Sequence, residues 1–331
     1  MKSKILKRSL LGFLTLLVVF SFLMLIPRIW AAIYPEKAPV GYHFEILDFL
    51  AIGVGLEDMI NTTPEIPDDI EEFKNIEYKN INRKSLQLDI YKQKNVEESA
   101  PLLVFIHGGG WQKGERSDYL IYLIDFAKRG YITATVSYRL LKDSPYPGCV
   151  EDINDAVQWF FQNDEKYGYD PDRIALIGGS AGAHLALLGA YGWESSQVLS
   201  DSIQNEKLNH KIKAVVDIYG PVDLTTDYAS TQSLVTSFMV RPYSEIPELY
   251  KEGSPLEYAD SDAPPTMILH GTSDNLVPII QSDRLKMKLD SLGVPCVYYR
   301  VPLWPHAMDV AQRVNDYSQL KMSEFFEEYL K

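Results

Sequence analysis

From residue 9 to residue 27 the chain carries no charged side chain and is nearly all Leu, Phe, Val, Ile and Met, a run of nineteen positions. As a helix rising ~1.5 Å per residue this run reaches ~28 Å, close to the ~30 Å hydrocarbon core of a bilayer. Beyond residue 73 the pattern changes to short apolar runs separated by longer stretches of helical period. Runs at 86–91, 102–106, 132–136, 174–177, 214–218, 266–269 and 297–301 predict strands, the first alternating like an exposed one and the others suited to burial. Helices are predicted at 119–128, 150–162, 183–191, 279–292 and 307–329. Strand and helix alternating over about 250 residues predict the α/β class, a mostly parallel sheet covered by helices on both faces.

Lys2, Lys4, Lys7 and Arg8 precede the amino-terminal run. A cleaved signal has a shorter apolar region of roughly 7–15 residues followed by a small-x-small site, which Trp30-Ala31-Ala32 matches poorly. An uncleaved signal-anchor over residues 1–28 is therefore expected, with a cleaved signal and a buried helix as the alternatives. The Lys/Arg bias would keep the basic cluster cytoplasmic and place residue 29 onward outside the cytoplasm. Residues 29–74 read as a connecting region, with Pro35, Pro39, Pro64 and Pro67 and the acidic run Asp68, Asp69, Glu71 and Glu72. Its one apolar patch, 46–56, is too short for a second span and is expected to pack on the domain or lie on the membrane surface. Residues 75–331 form the main domain.

At 331 residues, 46% hydrophobic and 23% charged, the chain has the composition of a folded protein with a sizeable core. Lys and Arg number 32 against 45 Asp and Glu, a net charge of −13. Five of those bases and no acid lie in residues 1–28, so the remainder holds 27 against 45 and carries −18. That sign is opposite to the basic footprint phosphate backbones require, which excludes nucleic acid as a partner. The two cysteines, Cys149 and Cys296, can build neither a disulfide-dense scaffold nor a Cys-based zinc site, and whether they pair stays open.

In such a sheet reactive groups gather at the carboxyl ends of strands. Three turns there are unusual: His107-Gly108-Gly109-Gly110-Trp111, Gly178-Gly179-Ser180-Ala181-Gly182 and His270-Gly271-Thr272-Ser273-Asp274. The second fits G-x-S-x-G between a strand and a helix. A serine on that sharp turn is held in a strained conformation, and the flanking glycines relieve crowding where strand and helix backbones meet. Serine needs a base, and the base an orienting carboxylate, in the chain order Ser, acid, His. Of the histidines after Ser180, His210 lies in a polar loop and His270 precedes the candidate acid, which leaves His306. Asp274 is the leading acid and Asp223, also beyond a strand end, its rival. Asp309 is expected to cap the last helix, His184 to be a buried hydrogen-bonding residue, and His107 and His270 to brace their turns. The glycines after the first of these strands bring backbone N–H groups close to a substrate, so Gly109 and Gly110, with Ala181 behind the nucleophile, are the candidate oxyanion donors.

With these turns, Ser137-Tyr138-Arg139-Leu140, Asp152-Ile153, Asp170-Pro171-Asp172-Arg173-Ile174 and Asn275-Leu276-Val277-Pro278, residues 75–331 resemble the α/β-hydrolase esterases with a His-Gly-Gly-Gly turn, the hormone-sensitive-lipase-like and feruloyl/acetyl-xylan-esterase-like group. Trp304-Pro305-His306 departs from the Gly-x-Gly-His turn common before the family histidine. The resemblance implies a triad of Ser180, Asp274 and His306, oxyanion donors at Gly109, Gly110 and Ala181, and a serine carboxylesterase needing neither metal nor cofactor and working through an acyl-enzyme. It leaves open amide or formamide hydrolysis, peptidase or membrane lipase activity, and a catalytically dead binding module. The stretch 219–265, longer than one crossover helix needs, is expected to form a small cap, and short esters to be the preferred substrates. Its Tyr228, Leu234, Phe238, Met239, Tyr243 and Tyr250 would either line the acyl site or pack the cap onto the core.

Overall fold

The computed structural model describes residues 2–42, 45–192 and 212–331. Among them one sheet contains β1 (Ile70–Ile81), β2 (Lys84–Gln93), β3 (Ala100–Ile106), β4 (Ile132–Val136), β5 (Tyr169–Gly179), β6 (Ile212–Ile218), β7 (Thr266–Gly271) and β8 (Cys296–Val301). The spatial order is β1-β2-β4-β3-β5-β6-β7-β8, antiparallel for β1/β2 and β2/β4 and parallel from β4 onward. The helices are α1 (Lys2–Ile33), α2 (Glu45–Gly53), α3 (Leu120–Lys128), α4 (Gly148–Gln162), α5 (Asp164–Tyr167), α6 (Ala181–Tyr191), α7 (Asp227–Thr231), α8 (Ser233–Met239), α9 (Pro247–Glu252), α10 (Ile280–Leu292) and α11 (Gln312–Tyr329).

Period-two alternation along the central strand divides the core. Leu102, Val104 and Ile106 of β3 pack with Val150 and Ile153 of α4, Leu185 of α6 and Leu285 of α10. Leu103 and Phe105 point the other way, to Phe126 of α3 and Met322 and Phe326 of α11. Both faces are covered, which is why the strand is apolar at every position. From β3 the chain passes through α3 to β4 on one side, then through α4 back across β3 to β5 on the other. Crossovers of one hand running in opposite directions place α3 and α4 on opposite faces and open a crevice between the carboxyl ends of β3 and β5.

Several sequence expectations change. Residues 86–91, read as an exposed strand, lie in β2, buried between β1 and β4, and 297–301, read as buried, form the half-buried edge strand β8. The edge strand β1 begins at Ile70, inside the stretch read as connecting, and its Glu71, Glu72, Lys74, Glu77 and Lys79 hide any alternation. Charge along an unpaired edge discourages pairing with other chains, so the pattern suits an edge strand. The helix expected over 307–329 is broken. Ala307 has φ 57°, a 3-10 turn spans Met308–Val310, and the helix proper starts at Gln312. Asp309 does not cap it: its carboxylate is buried and accepts a short hydrogen bond from the Tyr219 hydroxyl. Cys149 and Cys296 are both free thiols. The apolar patch becomes α2, which packs Ala51 against Met24 and Tyr42 and leaves Ile46, Leu50 and Val54 exposed.

Residues Leu10–Ile33 of α1 form a helix long and apolar enough to cross a membrane, with mean hydropathy 2.6. Its side chains from Leu10 to Leu23 face outward.

A buried ion pair joins two of the motifs. Asp152 on α4, fully buried, accepts hydrogen bonds from Arg139 Nε (2.8 Å), the Arg139 backbone N–H (2.9 Å) and Lys79 Nζ (2.7 Å). It ties the segment after β4 and the edge strand β1 to one helix. Removing one partner of a buried pair leaves the other charge uncompensated, at a cost of about 3–5 kcal/mol. Asp152→Ala should lower the melting temperature by roughly 10 °C, followed by circular dichroism; a change under about 2 °C would show that the pair contributes little.

Candidate active site

The strand-to-helix turn holds Ser180 at φ 56°, ψ −122°, between the last residue of β5 and the first of α6. Close approach requires glycine on both sides: a Cβ on Gly178 would meet the Gly182 backbone at 2.3 Å, and one on Gly182 the Ile106 carbonyl oxygen at 2.0 Å. A fixed non-glycine residue in this region stores on the order of 1–3 kcal/mol. The turn is secured by the Ser180 N–H, which donates to the Ile218 carbonyl at 2.8 Å.

Three residues from different strand ends converge there. His306 Nε2 stands 2.9 Å from Ser180 Oγ, and His306 Nδ1 stands 2.6 Å from Asp274 Oδ2. The carboxylate accepts a hydrogen bond from Nδ1–H, which fixes the proton on that nitrogen and leaves Nε2 as the acceptor for the serine hydroxyl. Asp274 is itself locked by the Leu276 and Val277 backbone N–H groups, which donate to Oδ1 at 2.9 and 2.8 Å. Burial alone would raise its pKa, but hydrogen bonds from His270 and His306 and the charge of both imidazoles outweigh it and hold the carboxyl at about 2. The carboxylate is thus ionised wherever the imidazole works as a base.

The other candidates separate cleanly. Asp223 lies far from the imidazole in bonding terms, paired with Arg284 at 2.6 Å and accepting from the Thr225 N–H at 2.9 Å. His270 braces its turn, with Nε2 2.8 Å from the Val277 carbonyl and 3.2 Å from Asp274 Oδ2 and Nδ1 2.7 Å from Ser282 Oγ. His107 stacks on Tyr138, ring centroids 4.3 Å apart, and its Nδ1 lies 3.0 Å from the Gly108 carbonyl. His184 is fully buried, donates to the Gly253 carbonyl at 2.7 Å, and burial pulls its pKa down to about 4. His210 lies outside the described residues.

The glycine turn lies against the elbow, since a Cβ on Gly108 would stand 2.8 Å from the Gly179 carbonyl oxygen and 3.6 Å from Ser180 Cβ. The Gly109 carbonyl accepts from the Gln112 and Lys113 N–H groups at 3.1 and 3.2 Å, which fixes the turn. Ala181 opens α6, so its N–H is among the four that a helix cannot satisfy internally. Gly110, Ala181 and Ser180 line a cleft of about 40 Å³ closed by Trp111, Tyr228, Leu234 and Leu276. A larger hollow, about 690 Å³, lies around Arg241, Glu248 and Lys251 and includes none of these residues.

The stretch 219–265 divides its large apolar residues between the two roles the sequence left open. Tyr228 and Leu234 line the cleft, whereas Phe238, Met239 and Tyr250 are buried in the core and Tyr243 packs against it. Phe238 stacks on Trp111 at 4.3 Å, so α8 is bound to the glycine turn itself. Sequence reasoning missed Tyr219, whose ring lies 4.7 Å from that of His306 and whose hydroxyl holds Asp309. The only signal was its place immediately beyond β6.

The family model BD-FAE matches residues 88–289. The chain is 32% identical over 235 residues to an esterase of Mycobacterium tuberculosis, LipQ, spanning 69% of this chain and 55% of that one. It is 27% identical to an isoprenylcysteine alpha-carbonyl methylesterase of Arabidopsis thaliana over 62% of this chain and 50% of the relative. It therefore spans about half the length of these relatives. Among solved structures, the apo form of Thermogutta terrifontis esterase 2 superposes with a TM-score of 0.67 at 24% identity, over 80% of this chain and 96% of the other. A truncated carbohydrate esterase from gut microbiota gives 0.64 at 24%, over 78% and 95%. The eight-stranded sheet is an α/β-hydrolase fold, and the chain belongs to the BD-FAE family.

Proposed function

We propose that the protein is a serine carboxylesterase that hydrolyses esters of short acyl groups, held at a membrane by α1 with residues 70–331, from β1 onward, as its extracytoplasmic catalytic domain. The observation that carries this reading is the unbroken line of hydrogen bonds from Asp274 through His306 to Ser180, which ends at the mouth of a small apolar cleft. The naming of relatives as esterases supports it.

Ser180 Oγ attacks the ester carbonyl carbon while His306 Nε2 takes the hydroxyl proton. The charge that develops on the carbonyl oxygen is met by the N–H groups of Gly109, Gly110 and Ala181, each such donor lowering the barrier by about 2.7–4 kcal/mol. Collapse of the tetrahedral intermediate breaks the bond to the alcohol oxygen, which leaves with the proton from His306. Water, deprotonated by the same nitrogen, then opens the acyl-enzyme and returns Ser180 to its hydroxyl form. Asp274 stays ionised throughout and steadies the imidazolium.

The cleft of about 40 Å³, lined by Trp111, Tyr228, Leu234 and Leu276, favours short acyl chains by its size. The anchor argues for amphiphilic substrates, and the two arguments are separated by chain length.

Ser180→Ala should abolish ester hydrolysis and leave the melting temperature unchanged or raised; activity within tenfold of wild type would refute the assignment. His306→Ala and Asp274→Asn should each lose on the order of 10³-fold or more in kcat, whereas Asp223→Asn, bound to Arg284, should lose far less. Across p-nitrophenyl esters of two to sixteen carbons, kcat/KM should peak between acetyl and butyryl, and a rise toward sixteen carbons would indicate a membrane lipase. The full chain should sediment with membranes through alkaline carbonate, with its hydrolase domain open to protease only from the non-cytoplasmic side. A soluble form beginning near residue 32 would show instead that the segment is cleaved.

A further inference from the structure

The turn that carries His306 is built from unfavourable backbone. Leu303 (φ 63°) and Ala307 (φ 57°), neither of them glycine, flank it in the left-handed region. Conformations of this kind persist only where the surroundings over-determine them. On its inner side the turn is bound to the segment that bears the acid. The Ser273 N–H donates to the Trp304 carbonyl at 3.0 Å, the Leu303 N–H to Thr272 Oγ1 at 2.8 Å, and a Cβ on Gly271 would meet the Trp304 oxygen at 2.3 Å.

Its outer side is held by chain from more than two hundred residues earlier. Trp304 is buried, and its indole Nε1–H donates to the Pro39 carbonyl at 3.0 Å. The Gly41 N–H donates to the Pro302 carbonyl at 2.9 Å, and a Cβ on Gly41 would stand 2.8 Å from the Leu303 oxygen and 3.0 Å from Trp304 Cδ2. Beyond His306 the same segment returns: the Ile60 N–H donates to the Val310 carbonyl at 3.0 Å and the Gln312 N–H to the Asp58 carbonyl at 2.7 Å, with Met59 bridged to Ala311. Arg313 closes the arrangement. Its guanidinium pairs with buried Glu57 and lies 5.6 Å from the Trp304 ring centroid.

From this geometry we infer that residues 38–42 and 57–60, between α1 and the sheet, form a positioning strap for the general base, setting His306 against Asp274 and Ser180 through the 302–312 turn. The inference deepens the esterase reading and rests on it for the role of His306. It explains Trp304, the position at which the sequence leaves the small-residue turn expected before the histidine: a large indole is needed to reach the strap. None of the strap residues touches the cleft, so they act through His306.

The test uses the full chain in detergent micelles and three substitutions that spare the triad. Gly41→Ala drives a methyl group into the Leu303 carbonyl; Trp304→Phe keeps a ring and removes the donor to Pro39; Glu57→Gln keeps the shape and removes the charge facing Arg313. Misplacing a base by a fraction of an ångström should lower kcat by about tenfold to a hundredfold. KM should stay within about twofold because the cleft is untouched, and the rate at which a fluorophosphonate labels Ser180 should fall in step with kcat. Amide exchange followed by mass spectrometry should quicken in 302–307 while β3 and β5 stay protected. Stoichiometric labelling at long times counts folded sites, so a variant that folds poorly is scored on the fraction that folds. Unchanged kcat per folded site in Gly41→Ala and Trp304→Phe would overturn the strap, as would unaltered exchange in 302–307. Failure of the esterase reading is a separate result: wild type would hydrolyse no ester, while faster exchange in the variants would still show that the strap fixes the turn.

Discussion

Everything at the site follows from the reversal of strand order at β3. Because the chain first builds to one side of that strand and then to the other, the turns after β3 and β5 face each other with no crossover helix between them. That constraint brings the glycine turn within contact of the serine elbow, and it directs the later strands outward so that β6, β7 and β8 deliver Tyr219, Asp274 and His306 in succession along one rim. A different placement of β4 would keep the same residues and separate them.

What was legible in the sequence shares one property: it was local. Buried strands announced themselves as apolar runs, three of them closed by a glycine-containing turn, and the elbow and the glycine turn are each complete within five residues. The order of serine, acid and histidine singled out Asp274 and His306, and in the structure His306 hydrogen-bonds to Ser180 on one side and to Asp274 on the other. What was hidden depends on distant partners. The strand β1 could not be read because its charges belong to an edge, and an edge is defined only once the sheet exists. Asp309 looked like a helix cap from its position near the last helix, but Tyr219, ninety residues earlier, draws its carboxylate inward. The bond from Trp304 to Pro39 spans 265 residues, and no periodicity encodes such a contact.

The stretch between the hydrophobic helix and the sheet has a different standing in the structure from the one its composition suggests. Prolines and acids describe a tether, but Glu57, Asp58, Gly41 and Pro39 make specific bonds to the rim of the site. The end of α1 takes part as well: Tyr42 donates to the Met24 carbonyl at 3.2 Å and Arg28 to the Leu56 and Gly55 carbonyls. Helix, strap and base-bearing turn are mechanically continuous, which a flexible linker would not permit.

The backbone of Ser180 sets stability and chemistry against each other at a single position. A conformation with φ 56° is one that glycine occupies freely and serine resists, so glycine at this position would relax the turn and remove the hydroxyl on which the proposed reaction depends. Thermodynamic selection by itself would drift this residue away from serine, and a population of sequences screened only for folding would accumulate robust, silent copies of the fold. Serine at so crowded a turn carries a cost in stability that the fold itself does not require.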